Sequence, residues 1–244
     1  MWKPQRERRH GPQLLPLSPR CQQMCGRFTL SANAQRLHDF FPLFEIPETV
    51  PRYNIAPTQV VLAVKQEQDA KPKAAFLRWG LIPSWAKDKK IGASLINARA
   101  DGVATKPSFR AAFKRRRCLI LADGFYEWRK RSTPKQPFHI RRSDGQPFAF
   151  AGLWEHWSGE EPAIDSCTII TTDANAVVRP LHDRMPVILD PRDYARWLDP
   201  ANADPGVLQE MLRPYPSEQM TTVAVSPYVN NARNEGADCL AIVS

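Results

Sequence analysis

The sequence predicts an α+β domain with a strongly curved, barrel-like mixed β-sheet flanked by helices. Apolar, β-branched runs are short and numerous, and helical patterns fall between them without the regular strand-helix-strand alternation of a doubly wound sheet. No linker, repeat or low-complexity tract divides residues 25–244, so they read as one domain. The chain of 244 residues is long enough to bury a sizeable core without disulfide support.

The elements follow in order. Ser31, with Gln35, Leu37, Phe40 and Phe41 after it, reads as a capped amphipathic helix ending before Pro42. Residues 51–57 are too proline-punctuated to be regular, whereas 60–64 and 74–79 read as strands around a polar turn at 69–72. Residues 107–116 are helical: Phe109 and Phe113, four apart, share one face and the basic residues take the other. Strands are expected at 117–121, 138–141, 148–153 and 167–171, a helix near 173–181, a strand at 186–189, a helix at 191–197 and a strand at 220–225.

Composition narrows the function classes. The net charge is +9 and the sequence pI about 9.5, a balance that suits a phosphate-binding surface. Cysteines at 21, 25, 118, 167 and 239 form no C-x-x-C pair, and no histidine stands at finger spacing, so neither a disulfide framework nor a zinc site is indicated. A reducing, cytoplasmic setting fits. No run approaches the roughly 20 apolar residues that cross a bilayer, and no metal or organic cofactor is implied. Residues 1–24 read as a basic, proline-rich leader outside the domain, removed or never translated: Lys3, Arg6, Arg8, Arg9 and Arg20 stand against Glu7, and no apolar period is sustained.

Removing that leader exposes the most reactive feature. Met24-Cys25 precedes Gly26-Arg27-Phe28, and a chain beginning at Cys25 carries an amine and a thiol on neighbouring carbons. Such a residue attacks an aldehyde twice, its amine forming an imine and its thiol then closing a five-membered thiazolidine. Polar groups in apolar surroundings mark further candidates. Asn97 and Arg99 follow Leu95-Ile96; Glu127 lies among the aromatic residues of Gly124-Phe125-Tyr126-Glu127-Trp128, where desolvation favours a raised pKa; His182 stands in His182-Asp183-Arg184-Met185-Pro186. Each has an ordinary alternative: a paired structural acid, a helix-end histidine, a turn asparagine, a solvated arginine.

Taken together, these stretches resemble a known family. Met24-Cys25-Gly26-Arg27-Phe28, Arg52-Tyr53-Asn54-Ile55-Ala56-Pro57, Trp79-Gly80-Leu81-Ile82-Pro83-Ser84-Trp85, Asn97-Ala98-Arg99-Ala100, Ala122-Asp123-Gly124-Phe125-Tyr126-Glu127-Trp128 and His182-Asp183-Arg184-Met185-Pro186 are similar, in order and spacing, to the successive motifs of the SRAP (SOS-response-associated peptidase) family. The tail from Val225-Ser226-Pro227 through Asn234 is similar too.

The resemblance implies a sensor of abasic sites in single-stranded DNA that becomes covalently attached to them through Cys25, shielding the site during the DNA damage response. It implies Glu127 as general acid/base, His182 as a second proton carrier that also serves the reverse reaction, and Asn97 as the group orienting the cysteine end and the sugar. Arg27, Arg99 and Arg184 are then phosphate clamps, Asn54 belongs to the strand-binding loop, and Trp85 stacks on a base or blocks a duplex, with a core position as its alternative. The expected partner is single-stranded DNA containing abasic sites, met by a monomer with no membrane and no metal. Two other readings stay open, a thiol (auto)peptidase using Cys25 and His182 and a non-covalent single-strand binding module; for the abasic-site reading, lyase and autopeptidase activities stay open too. Where the family commonly has glutamate and a small hydroxyl residue after the Asn-Ala-Arg-Ala motif, this chain has Asp101 and Gly102.

Overall fold

The computed structural model describes residues 26–68, 70–129 and 135–243. Cys25, the leader 1–24 and the Asp69 end of the expected turn lie outside the described residues. Twelve strands are present among those described: β1 (Phe28–Leu30), β2 (Arg52–Ile55), β3 (Val60–Lys65), β4 (Lys73–Trp79), β5 (Asn97–Arg99), β6 (Arg117–Ala122), β7 (Gly124–Trp128), β8 (Pro137–Arg142), β9 (Phe148–Trp157), β10 (Ile164–Asp173), β11 (Arg184–Pro186) and β12 (Met220–Ala224). The helices are α1 (Ala34–Phe40), α2 (Arg110–Arg115), α3 (Tyr194–Leu198) and α4 (Pro205–Glu210), with short 3₁₀ turns between elements.

Five strands close a mixed barrel in the order β10-β4-β3-β6-β9 and back to β10, with only the β10–β4 pairing parallel. Closure removes both edges, which is why near-continuous apolar strands such as Arg117–Ala122 are buried on every residue. An antiparallel sheet β12-β8-β7-β1-β2 packs against the barrel through alternate residues. Phe28 of β1 meets Trp79 and Phe150 at ring separations of 5.2 and 5.7 Å, and Phe125 of β7 meets Phe150 at 6.2 Å. The expected α+β barrel is therefore the observed fold. Among the described residues no helix is long and apolar enough to cross a membrane.

Several local expectations need correction. Asn33, not Ser31, caps α1, accepting from Arg36 N at 2.9 Å, because Ser31 is held by Asp123 instead. Residues 52–55 form β2 despite the flanking prolines, since both lie outside the paired run. Residues 175–182 are successive turns rather than a helix: the Asn175 side chain accepts from Val177 N and Val178 N, and Pro180 offers no donor. The strand expected at 186–189 is β11, displaced toward Arg184.

Candidate functional site

The site is assembled at the second half of β10. Its first half is flanked by β9 and β4, its second by β11 and β5, so three chain segments converge there. Register places Asn97 beside Ile169, Arg99 beside Thr171 and Arg184 beside Asp173. Asn97 and Arg99 share one face of β5, opposite the buried Ala98.

The β1 end reaches the same mouth through packed rings. Phe28 packs on Trp79, whose Nε1 donates to Ile96 O at 2.8 Å, immediately before Asn97. Tyr126 N donates to Arg27 O at 3.0 Å, extending the antiparallel Phe28–Phe125 register by one residue toward the amino-terminal side. Glu127 is only 4% exposed and lies on the barrel-facing side of β7 with Phe125. A buried carboxylate thus follows directly on the residue that bonds Arg27, two positions from Cys25.

His182 Nδ1 accepts from Arg184 N at 3.0 Å and lies 2.9 Å from Asp183 Oδ1. In the neutral ring the first contact fixes the proton on Nε2; in the imidazolium, Nδ1 donates to the carboxylate instead. The ring therefore has a partner in both protonation states.

The arginines divide into two kinds. Arg27 donates to Asn54 Oδ1 (2.8 Å), Val229 O (2.9 Å) and Asn230 O (3.4 Å), and burial lowers its pKa. Asn54, buried in β2, donates to Asn231 O (3.0 Å) and Asn234 O (2.8 Å). This pair clamps the C-terminal segment onto the sheet. Arg99, by contrast, is exposed and forms a fork with Asp101 at 3.1 and 2.6 Å, which raises its pKa. Arg184 is buried, donates to Thr171 O at 2.6 Å, and has its pKa lowered first by burial and then by Arg99.

Trp85 is 60% exposed, so its core alternative does not hold. Its turn is anchored by Trp157 Nε1 donating to Ala86 O at 2.7 Å. Trp157 pairs with Ile164 at the start of β10, whereas Arg99 pairs with Thr171, about 23 Å of strand away at ~3.3 Å per residue.

One network escaped the sequence reading. Asp123 accepts from Thr29 Oγ1 (2.5 Å), Ser31 N (2.6 Å), Ser31 Oγ (2.8 Å) and Ala32 N (2.8 Å), and Thr29 Oγ1 lies 3.1 Å from His139 Nε2. Burial drives the His139 pKa down to about 4. The ring lies against Gly124, where a Cβ would come within 2.0 Å of Nε2, so only glycine fits. Thr29 and Asp123 thereby lock β1 in register with β7. The Asp-Gly pair in the Glu127 motif is the signal that was available.

Cys118, Cys167 and Cys239 are buried and unpaired, and burial raises each thiol above its usual pKa. They are poor nucleophiles near neutral pH.

The sequence profile of the SOS response associated peptidase (SRAP) family matches residues 24–232. The "Abasic site processing protein YoaM" of Bacillus subtilis is 44% identical over 222 residues, covering 89% of this chain and 97% of that protein. The "Abasic site processing protein YedK" of Escherichia coli is 31% identical over 228 residues, covering 89% and 99%. A solved Bacteroides thetaiotaomicron protein superimposes with a TM-score of 0.75 at 22% identity, over 90% of this chain and 100% of that one. With the motifs in order and the fold shared, this chain belongs to the SOS response associated peptidase family.

Proposed function

We propose that this protein captures abasic sites in single-stranded DNA as a thiazolidine on an amino-terminal Cys25. The observation that carries the reading is the buried Glu127, next in β7 after Tyr126, whose N donates to Arg27 O two residues from the proposed terminus. The names of its relatives as abasic site processing proteins and the start of the family match at Met24 support it.

The ring-opened abasic sugar presents an aldehyde. The Cys25 amine, with a reference pKa of about 7.7–8.0, is substantially neutral near physiological pH and adds to the aldehyde carbon. Glu127 delivers a proton to the departing hydroxyl, water leaves and an imine forms; the thiol then adds to the imine carbon and its proton passes to nitrogen. One C–N and one C–S bond form, and one water is released. His182, able to hold a proton on either of two settings, serves the transfers and the reverse reaction. Asn97 orients the sugar, Arg99 and Arg184 hold phosphate, and Trp85 meets bases farther along the strand. Arg27 and Asn54 act by holding residues 229–234 on the sheet face that carries Tyr126. The peptidase of the family description corresponds here to a single self-processing step before Cys25.

Denaturing electrophoresis of protein expressed from Met24 with an abasic oligonucleotide tests this. An adduct is expected that disappears in Cys25→Ala and after amine acylation, and that forms about 10²-fold more slowly in Glu127→Gln. An equal adduct from amine-blocked protein would overturn it. Peptide turnover surviving that block would favour the thiol-peptidase reading.

A further inference from the structure

Arg99 is balanced by Asp101, yet it begins a line of cations that is not. Gly102 N donates to Arg99 O (3.1 Å), Lys106 N to Gly102 O (3.0 Å) and Arg110 N to Lys106 O (2.9 Å). Lys114 follows one turn later in α2. Lys106, Arg110 and Lys114 therefore share one face, rising about 6 Å per step. Val103, Phe109, Ala112 and Phe113 are buried on the opposite side, so the three cations are exposed. None takes part in an ion pair among the described residues, whereas Arg99 and Arg116 do. Gly102 gives the first of them room: a Cβ there would lie 3.1 Å from Lys106 Cε.

We propose that Lys106, Arg110 and Lys114 form a phosphate track for the single strand flanking the abasic site, continuing outward from Arg99 along α2. This rests on the DNA-capture reading above. The charge, the regular spacing and the unbroken succession of turns from Arg99 favour a sequence-independent polyanion, and such contacts release counterions.

The test replaces all three residues (K106Q/R110Q/K114Q) and compares binding of a single-stranded oligonucleotide without an abasic site between 50 and 200 mM salt. A control of equal charge, K71Q/R196Q/R213Q, keeps the global field comparable. At about 0.7 ion per phosphate, three lost contacts lower the logarithmic salt slope by about 2, so affinity falls roughly 15- to 20-fold less across that range than in wild type. The control is expected to keep the wild-type slope. An unchanged slope in the track variant, or an equal change in the control, would overturn the track. Adduct formation by wild type on an abasic oligonucleotide, measured alongside, reports separately on the DNA-capture reading, because the salt slope needs no covalent chemistry.

Discussion

Two arginines are buried at opposite ends of the barrel and held in different ways. Arg117, 1% exposed at the start of β6, places all five N–H groups on carbonyls: Trp197 O (2.6 Å), Phe113 O (2.8 Å), Lys114 O (2.6 Å), Asn202 O (2.9 Å) and Asp199 O. It ties the C-terminal ends of α2 and α3 to the barrel, and burial lowers its pKa to about 10. Arg184, 7% exposed, reaches Thr171, lies 3.7 Å from Asp173 Oδ1, and keeps an Nε that has no hydrogen-bond partner among the described residues. Its charge is acted on by Arg99 and, in the opposite sense, by Asp101, Asp173 and Asp183. A guanidinium with every donor matched is a structural joint; one buried beside a like charge with a donor left over is suited to a ligand that brings negative charge.

The contrast can be broken most severely at Arg117. Arg117→Met leaves its carbonyls buried without donors, and denaturant unfolding is expected to show a loss of about 3–5 kcal/mol. A loss below 1 kcal/mol would remove the distinction.

His139 sharpens it next, as a buried base at the back of β8. Its folded pKa of about 4 lies below the unfolded reference of about 6.5, so between those values the unfolded state binds more protons. Stability is accordingly expected to fall by up to about 3 kcal/mol as pH drops through that window. His139→Gln should flatten this acid limb in urea titrations at pH 7 and 4.5; an unchanged limb would place the acid sensitivity elsewhere.

Arg184→Met is expected to reverse the pattern of Arg117→Met: stability changes by about 1 kcal/mol or less, while affinity for single-stranded DNA falls about tenfold, the scale of one strong charge-assisted contact. Fluorescence anisotropy beside a melt separates the two. The smallest effect belongs to Asp101→Asn, which frees Arg99; because that pair is exposed, about a twofold gain in affinity at low salt is expected, and it should vanish at high salt.

The sequence carried the architecture because short β-branched runs and the paired Phe109 and Phe113 obey local periodicity. It singled out Glu127 and His182 because polar residues stood out among apolar ones, and the roles given them are the proposal above. What stayed hidden depends on contacts between residues distant in the chain. Asn54 looked like part of a strand-binding loop, but its amide is 177 and 180 residues from its acceptors in the tail. Ser31 had the makings of a helix cap, yet Asp123, 92 residues away, holds it. The turns at 175–182 lost their helical reading to one asparagine side chain and one proline. Trp85 stands in an apolar, aromatic motif yet is 60% exposed, an outcome of tertiary packing that spacing alone does not show.

The most direct measurement is the intact mass, under denaturing conditions and without borohydride, of protein expressed from Met24 and mixed with a single-stranded oligonucleotide bearing one abasic site. The expected species is protein lacking Met24 plus one oligonucleotide less one water, formed in a one-to-one ratio. Correctly trimmed protein beside untouched abasic oligonucleotide would contradict the assignment of Cys25 as an aldehyde-capturing terminus.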